Sequence, residues 1–436
     1  MKRINRSVRG RPPGAAGAQA DAAPVEQTLE ITAVGARGDG LAQGSRGIVY
    51  VPFSLPGEQV RARIAGDRAE IAEVATASPA RIAHACRHFG RCGGCQLQHW
   101  READYLAWKR DTVAEALAKR GLGGAVVDDA IVAWGAGRRR AAFHAAREGG
   151  RVRIGFVERG GARLTPIAEC PVLTPKLEAV ALKLAPLAEL ALPSRGEITL
   201  QCLLTDAGVD VSIKGAGRAR PERAAFEALS RCVEGLGLAR LSIDGELIVE
   251  RAKPLLRMGH AQVQPPPGAF LQPTAEGEEA LAHLVLHAIA DSARVIDLFS
   301  GIGTFALRAA ERAEVLAVES DAAMLEALKR AADGAGGALK QVTTLRRDLL
   351  RTPLSSLEMK KIDAAIIDPP RSGARLQAEQ IARAPIRRVA YVSCDAPTFA
   401  RDVKVLIDHG FSLTRVTPVD QFRWSPHVEI VGALER

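Results

Sequence analysis

Val295-Ile-Asp-Leu-Phe-Ser-Gly-Ile-Gly-Thr-Phe-Ala-Leu307 joins an apolar strand to a Gly-x-Gly turn and then to the start of a helix. Glycines at 301 and 303 let the backbone approach a nucleotide-like ligand at the carboxyl end of a sheet. Around this unit strand-like and helix-like runs alternate: Arg294 to Phe299, Phe305 to Glu311, Val315 to Glu319, Met324 to Ala332, Ala364 to Ile367 and Val389 to Ser393. The alternation predicts a doubly wound α/β domain over residues 263–436, entered through the stiff segment Gln264-Pro-Pro-Pro-Gly268.

The turn by itself is ambiguous. Gly301-x-Gly303-x-x-Ala306 also fits the dinucleotide fingerprint, and Glu319, closing the next strand, suits a ribose hydroxyl of NAD or of S-adenosylmethionine. Asp368-Pro-Pro-Arg-Ser-Gly373 at another strand end tips the balance, because hydride transfer has no use for that motif. Asp-Pro-Pro after an apolar strand is the form seen in class I methyltransferases that act on planar bases. An aromatic next in line typically serves methylation of an exocyclic amine; here Arg371 follows, which points away from an amine target.

Val389-Ala-Tyr-Val-Ser-Cys394 then puts a thiol just past a strand, on the side of the sheet where ligands bind. A lone Cys is more often an apolar filler, but after these motifs it reads as a nucleophile. Carbon 5 of uracil is a poor nucleophile until a thiolate adds to carbon 6 and makes an enolate, whose carbon 5 can attack a methyl sulfonium. A base must afterwards remove the carbon 5 proton, and His427-Val428-Glu429 offers two candidates between which spacing does not choose.

Upstream, Cys86-x5-Cys92-x2-Cys95, with Cys170 before Pro171, supplies four thiolates that suit tetrahedral zinc or an iron–sulfur cluster equally. Cys202, in an apolar strand-like run, and Cys232, in a helix-like one, read as small hydrophobes. Seven cysteines form an odd set, a poor match to a secreted disulfide framework.

Residues 25–80 read as short strands, Thr28 to Val34, Gly47 to Phe53, Gln59 to Ile64 and Glu70 to Thr76, between glycine turns, which predicts a small barrel of the OB type able to bind RNA on one face. Residues 1–24 carry Lys2, Arg3, Arg6, Arg9 and Arg11 among Gly, Pro and Ala, the composition of a flexible basic tail. Residues 81–262 read as a mixed central domain containing a helix from Trp100 to Arg120, with Tyr105, Leu106, Val113 and Leu117 as its apolar positions.

The 436-residue length asks for two or three domains. Fifty-nine Lys plus Arg against 50 Asp plus Glu, a net +9, favours a polyanionic partner. No apolar run reaches the roughly 18 residues of a membrane span and no signal core follows the N-terminus, so a cytoplasmic protein without a membrane partner is expected.

Taken in order, the Cys-x5-Cys-x2-Cys run, Asp-Leu-Phe-x-Gly-x-Gly, Asp-Pro-Pro-Arg-x-Gly, the Ser-Cys after a strand and His-Val-Glu resemble the RNA uracil-C5 methyltransferase family from about residue 25 to the C-terminus. The likeness is to members with an N-terminal TRAM barrel and a [4Fe-4S] cluster, such as the bacterial 23S rRNA 5-methyluridine enzymes. It implies a class I methyltransferase domain with a Rossmann-like sheet, an OB-fold barrel and a central α+β domain holding the cluster. It makes Cys86, Cys92, Cys95 and Cys170 the cluster ligands, Cys394 the nucleophile and Glu429 the base. Gln272, Phe299, Gly301, Gly303, Thr304, Glu319, Asp348 and Asp368 become the residues that contact S-adenosylmethionine or shape the site.

The implied cofactors are S-adenosylmethionine and [4Fe-4S], the latter structural or RNA-positioning because methyl transfer needs no electron. The implied partner is RNA, 23S rRNA first and tRNA as the alternative, with an inactive RNA-binding homologue as a further one. No protein partner is implied, and a monomer is expected. The helix from Trp100 to Arg120 is expected on the catalytic domain, as in relatives. The chain departs from the family pattern at Thr274 and Thr304, where Asn is usual, and at Phe422-Arg-Trp-Ser425, where Phe-Pro-x-Thr is usual.

Overall fold

In the computed structural model, residues 25–161, 163–217 and 222–436 are described, and the basic tail expected over residues 1–24 lies outside them. Strands β1 (Val25–Val34), β2 (Asp39–Gly44), β3 (Gly47–Pro52), β4 (Gln59–Ala65) and β5 (Arg68–Thr76) close into a barrel in the order β1-β2-β3-β5-β4. Alternation explains the filling: Leu29, Ile31, Val49, Val51, Val60 and Ala62 point inward and are buried together. Strand β2 is absent from the sequence reading, which took its glycines for turns. A Cβ on Gly40 would lie 2.0 Å from the Ser54 hydroxyl, so close packing, not a turn, demands that glycine. Buried Glu58 ties the barrel's end together, accepting from the Leu55 amide at 2.8 Å and from Arg81 at 2.5 Å. The barrel unit ends at Arg81, and Ile82–Arg436 form a second compact unit.

The second unit begins with helix α1 (Glu102–Ala118) and the short β6 (Ile131–Val132). A seven-stranded sheet follows, built from β7 (Arg140–Glu148), β8 (Arg151–Val157), β9 (Leu164–Pro166), β10 (Glu197–Thr205), β11 (Gly208–Lys214), β12 (Leu238–Ile243) and β13 (Glu246–Glu250). Helices α2 (Pro175–Ala181), α3 (Ala185–Ala191) and α4 (Arg223–Gly235) belong to this region, and their Leu177, Leu187 and Val233 share a buried cluster with Phe143, Leu200 and Val211 of the sheet. A hairpin of β14 (Leu256–Met258) and β15 (Ala261–Val263) leads to α5 (Ala275–Ala288).

From there β16 (Arg294–Leu298), α6 (Ala306–Ala309), β17 (Glu314–Glu319), α7 (Ala322–Asp333), β18 (Val342–Arg346), β19 (Ala364–Ile367), α8 (Arg375–Arg383), β20 (Arg388–Ser393), α9 (Ala396–Ile407), β21 (Ser412–Asp420) and β22 (Glu429–Glu435) alternate as expected. The first helix is shorter than the Phe305 to Glu311 run suggested. The sheet order is β18-β17-β16-β19-β20-β22-β21-β6, parallel from β18 to β20, with β22 antiparallel to β20 and β21 antiparallel to β22. Side chains alternate across it. Val295 faces a layer containing Leu281, Val285, Leu307 and Leu328, whereas Ile296 and Leu298 face one containing Val113, Leu117, Ile381, Phe399 and Val403. Both faces are covered, as a doubly wound sheet requires.

Helix α1 therefore packs on the C-terminal sheet despite lying far from it in sequence, and β6 adds an eighth strand by pairing Ile131 with Val419. No helix among the described residues is long and apolar enough to cross a membrane.

Candidate active site

Chain direction assembles the site. Strands β16, β17, β19 and β20 run parallel, so the residues just past Leu298, Glu319, Ile367 and Ser393 all emerge at one edge of the sheet. The chain leaves β16 toward β17 on one side and returns to β19 on the other, which opens a crevice at the switch point. Because β22 is antiparallel to β20, with Ser393 opposite Ile430, Glu429 starts its strand at the same edge as Cys394. Asp420 ends β21 there too, with Val419 opposite Glu429.

The turn after β16 has the expected backbone. Phe299, Gly301 and Gly303 have φ of 66°, 54° and 97°. A Cβ at Gly303 would press on Leu328 and Leu307 at 2.8 and 2.9 Å, whereas at Gly301 it would meet nothing within 4 Å. Gly303 thus serves packing, and Gly301 borders open space at the crevice. Glu319 holds the turn by accepting the Gly301 amide at 3.1 Å, and its other oxygen accepts the Ser320 and Asp321 amides at 2.6 and 2.9 Å. Its remaining acceptor capacity suits ribose hydroxyls. Behind the turn Asp297 is fully buried; neither oxygen has a well-formed hydrogen bond, and burial, followed by the nearby charge of Asp368, pushes its carboxyl far above the ordinary range, eased only by the Ala306 amide.

The other cofactor candidates divide. Gln272 is buried and accepts a 2.6 Å hydrogen bond from the Gln421 side chain. Asp348 is exposed past β18, its carboxylate accepting the Leu350 amide at 3.1 Å. Thr304 is part-exposed, and its carbonyl accepts from Arg308 at 2.9 Å. Thr274 turns away from the crevice: it caps α5 by accepting the Gly277 amide at 3.0 Å and donates to the Ala133 carbonyl at 2.7 Å.

Asp368, Arg371, Cys394 and Glu429 interact at the crevice. Asp368 keeps part of its surface open, yet protein crowds it enough that desolvation raises it to about 7. Burial pushes Glu429 up to about 8, with Asp368 adding to it and Gln421 and Arg371 opposing it. The Cys394 thiol is pushed up to about 11 by burial and by Glu429, while a hydrogen bond with Arg371 works the other way. His427 is held down to about 4 by desolvation and by Arg371, Lys109 and Arg138, with Arg371 Nη2 2.7 Å from its Nδ1. A neutral imidazole among three cations is a weak base. Gly373, last of its motif, is needed because a Cβ there would lie 2.4 Å from Asp402, which accepts the Ala374 amide and the Tyr391 hydroxyl at 2.7 and 2.6 Å.

The sequence reading missed what holds the Phe422–His427 loop. Lys109 of α1 is fully buried and donates at 2.5 Å to Asp420 and at 2.6 Å to the His427 carbonyl. Burial pushes its ammonium down to about 8 against the pull of Asp420. Tyr105, one turn earlier, donates to the same carboxylate at 2.8 Å. A lysine spaced four residues from Tyr105 and from Val113 sits in the apolar stripe, and that spacing was the available signal. The loop's departure from the family pattern also has a structural role. Arg423 stacks on Trp134 and Trp424, with guanidinium-to-ring distances of 4.4 and 4.2 Å.

Cys86, Cys92, Cys95 and Cys170 line one cavity of about 310 Å³. Burial, with repulsion from neighbouring thiols, raises Cys92, Cys95 and Cys170, the last to about 12; Cys86 acts on all three, and Cys86, Cys92 and Cys95 all act on Cys170. Among the described residues no group of three or more His, Cys, Asp or Glu is drawn together so as to hold a metal ion, so the cluster expected on these four cysteines has no ready-made metal-binding group. Four unpaired thiols line this shared space, the His88 amide donating at 3.4 Å to the Cys86 sulfur and the Gly94 amide at 3.4 Å to the Cys92 sulfur. Cys202 lines the same cavity, but its thiol is raised by burial and by Asp210, without an effect from the other four.

A family model described as tRNA (Uracil-5-)-methyltransferase matches residues 258–436. A Caulobacter vibrioides protein named an uncharacterized RNA methyltransferase is 45% identical over 418 residues, covering 94% of this chain and 100% of that one. The 23S rRNA (uracil(1939)-C(5))-methyltransferase RlmD of Halomonas elongata is 32% identical over 431 residues, covering 91% and 88%. Among solved structures, the tRNA (uracil-54, C5)-methyltransferase of Pyrococcus abyssi in complex with S-adenosyl-L-homocysteine superposes with a TM-score of 0.70 at 20% identity, over 93% of this chain and 99% of that one, a likeness of fold.

Proposed function

The chain belongs to the RNA uracil-C5 methyltransferase family, S-adenosylmethionine-dependent enzymes, and on that premise we propose that it makes 5-methyluridine at one site in 23S rRNA through a covalent bond to Cys394. The observation that carries this reading is the meeting of Cys394, Arg371, Glu429 and Asp368 beside the Gly301 turn. Similarity to RlmD over most of the chain supports rRNA over tRNA as the substrate.

A uridine inside folded RNA must first be unstacked and turned into the crevice, and the barrel, the central domain and the basic tail are each proposed to bind RNA. The Cys394 thiol loses its proton to solvent, and Arg371, hydrogen-bonded to the sulfur, stabilises the thiolate that remains. The thiolate adds to carbon 6, and the electron pair of the 5,6 double bond moves into an enolate. The Phe299–Thr304 turn, Glu319, Asp368, Gln272 and Asp348 would hold S-adenosylmethionine, which would supply an electrophilic methyl group. Once carbon 5 carries the methyl group, ionised Glu429 takes its proton, the 5,6 double bond re-forms and Cys394 leaves as thiolate. Cys86, Cys92, Cys95 and Cys170 would hold a [4Fe-4S] cluster, which would have a structural or RNA-positioning role, since no step above moves an electron.

Mapping 5-methyluridine in the RNA of cells lacking this protein tests the reading. One uridine of 23S rRNA is expected to lose its methyl group. Loss confined to a tRNA would replace the substrate, and no loss in any RNA would overturn the activity.

A further inference from the structure

The loop that carries His427 and delivers Glu429 to Cys394 is fastened by residues some 300 positions upstream. Lys109 Nζ lies 2.6 Å from the His427 carbonyl and 2.5 Å from Asp420, and both charged groups are fully buried. Tyr105 donates to Asp420 at 2.8 Å and approaches the Phe422 and Ser425 carbonyls at 3.3 Å. Asp420 in turn accepts the Phe422 amide at 3.0 Å. Just before α1, the Gln96 and Leu97 amides both donate to the Trp424 carbonyl at 2.8 and 3.0 Å, and Trp424 has a positive φ of 58°. Three successive parts of the loop, near 422, 424 and 427, thus end on donors from residues 96–109.

A buried Lys–Asp pair is a poor source of stability, because the desolvation of both ions offsets most of their attraction. Its geometry here is better suited to fixing a backbone. The loop has no helix or strand of its own between Asp420 and Glu429. The ammonium supplies what that segment lacks, a donor for a carbonyl two residues before the base.

We propose that Lys109, steadied by Tyr105, is a positioning residue for proton removal: by holding the His427 carbonyl it sets the Glu429 carboxyl against the carbon 5 proton of the Cys394 adduct. This rests on the covalent mechanism above, and it assigns to Lys109 of helix α1 a part in the last chemical step. A misplacement of about 1 Å is enough to slow an oriented proton transfer by as much as about a hundredfold.

The test uses the full-length enzyme on unmodified 23S rRNA. Replacing Lys109 alone would leave Asp420 charged and buried, so Lys109→Met is combined with Asp420→Asn, and Tyr105→Phe is made separately. For the double variant, KM for RNA should stay within about twofold while kcat falls about ten- to a hundredfold, with a methylated covalent adduct persisting on ordinary RNA. Tyr105→Phe should shift both quantities in the same direction by a smaller factor. Wild-type kcat and adduct level in these variants would overturn the proposal, as would a rise in KM with kcat unchanged. If the double variant does not fold, Tyr105→Phe decides by the same two readouts. Wild-type enzyme that forms no adduct on 5-fluorouridine RNA would instead sink the covalent mechanism and leave the loop contacts without this role.

Discussion

Two groups of cysteines in this molecule carry the same side chain into opposite electrostatic settings. Cys394 meets one cation, Arg371, and two carboxyls, Glu429 and Asp368, each able to gain or lose a proton. Among the described residues, the charged neighbours that act on Cys92 and Cys170 are other thiols, those of Cys86, Cys92 and Cys95, with Arg138 added at Cys95. A thiol that must bond to carbon and leave again needs its charge stabilised only in passing, which an arginine and a titrating neighbour can do. Four thiols crowded on one cavity, two buried and two half-buried, cannot ionise together without a multivalent cation between them. On the proposed reading the difference would separate a reacting sulfur from ligating sulfurs, and it can be broken at several points.

The largest effect should come from Cys394→Ala. Methylation should fall by at least about ten-thousandfold and no covalent species should form on 5-fluorouridine RNA, because nothing else at the crevice can add to carbon 6. Iron content and melting temperature should stay as in the wild type. Detectable turnover by this variant would remove the covalent mechanism.

Glu429→Gln should fail later and less completely. Addition and methyl transfer remain possible, so overall turnover should drop by roughly 10²- to 10⁴-fold while a methylated adduct accumulates on ordinary RNA and survives denaturing electrophoresis. Normal turnover with no trapped adduct would place the base elsewhere.

Cys170→Ser should act on the other side of the comparison. Anaerobically prepared wild-type protein should be brown and contain iron and sulfide, whereas the variant should lose most of the iron, the brown absorption and part of its thermal stability. Zinc in place of iron and sulfide would refute the cluster and keep the site. An unchanged iron content in Cys170→Ser would show that the distant cysteine is not a ligand.

The pH response sharpens the first half of the comparison. Burial raises Glu429 from the ordinary carboxylate range to about 8, so at pH 7 only about a tenth is ionised and able to accept a proton. Release of a preformed methylated adduct should therefore speed up about tenfold per unit as pH rises toward 8 and then level off. A base at His427, held down to about 4, would give release independent of pH above about 5. Following release from a preformed adduct keeps the Cys394 thiol, at about 11, out of the measurement.

Much of this arrangement was written locally and therefore readable. The Val295–Leu307 run, Asp368-Pro-Pro and Ser393-Cys394 each follow an apolar strand, and parallel strands deliver whatever follows them to one edge. Glu429 reaches that edge for a less legible reason: β22 runs against β20, a pairing that depends on which strand inserts between β20 and β21. Strand β2 escaped notice because glycine signals both turns and close packing. Lys109 escaped because a charged residue in an apolar stripe looks like an interruption until its partner, Asp420, is placed beside it by the fold. Contacts between residues 300 apart are set by topology, and no local pattern records them.

The smallest effect tests where the four-cysteine group ends. Cys202 lines the same cavity and is buried within β10, so proximity alone would make it a fifth candidate ligand. Its surroundings say otherwise: Asp210, not a neighbouring thiol, acts on it, and its sulfur points to the Leu200 carbonyl at 3.9 Å, along its own strand. A small hydrophobe there contributes packing only. Cys202→Ala should cost about 1 kcal/mol of stability for the atoms removed, seen as a small drop in the denaturant midpoint, and should leave iron, sulfide and methylation unchanged. Loss of iron from this variant equal to that from Cys170→Ser would mean that the cavity selects its ligands by position, and the electrostatic distinction drawn between the cysteines would fail.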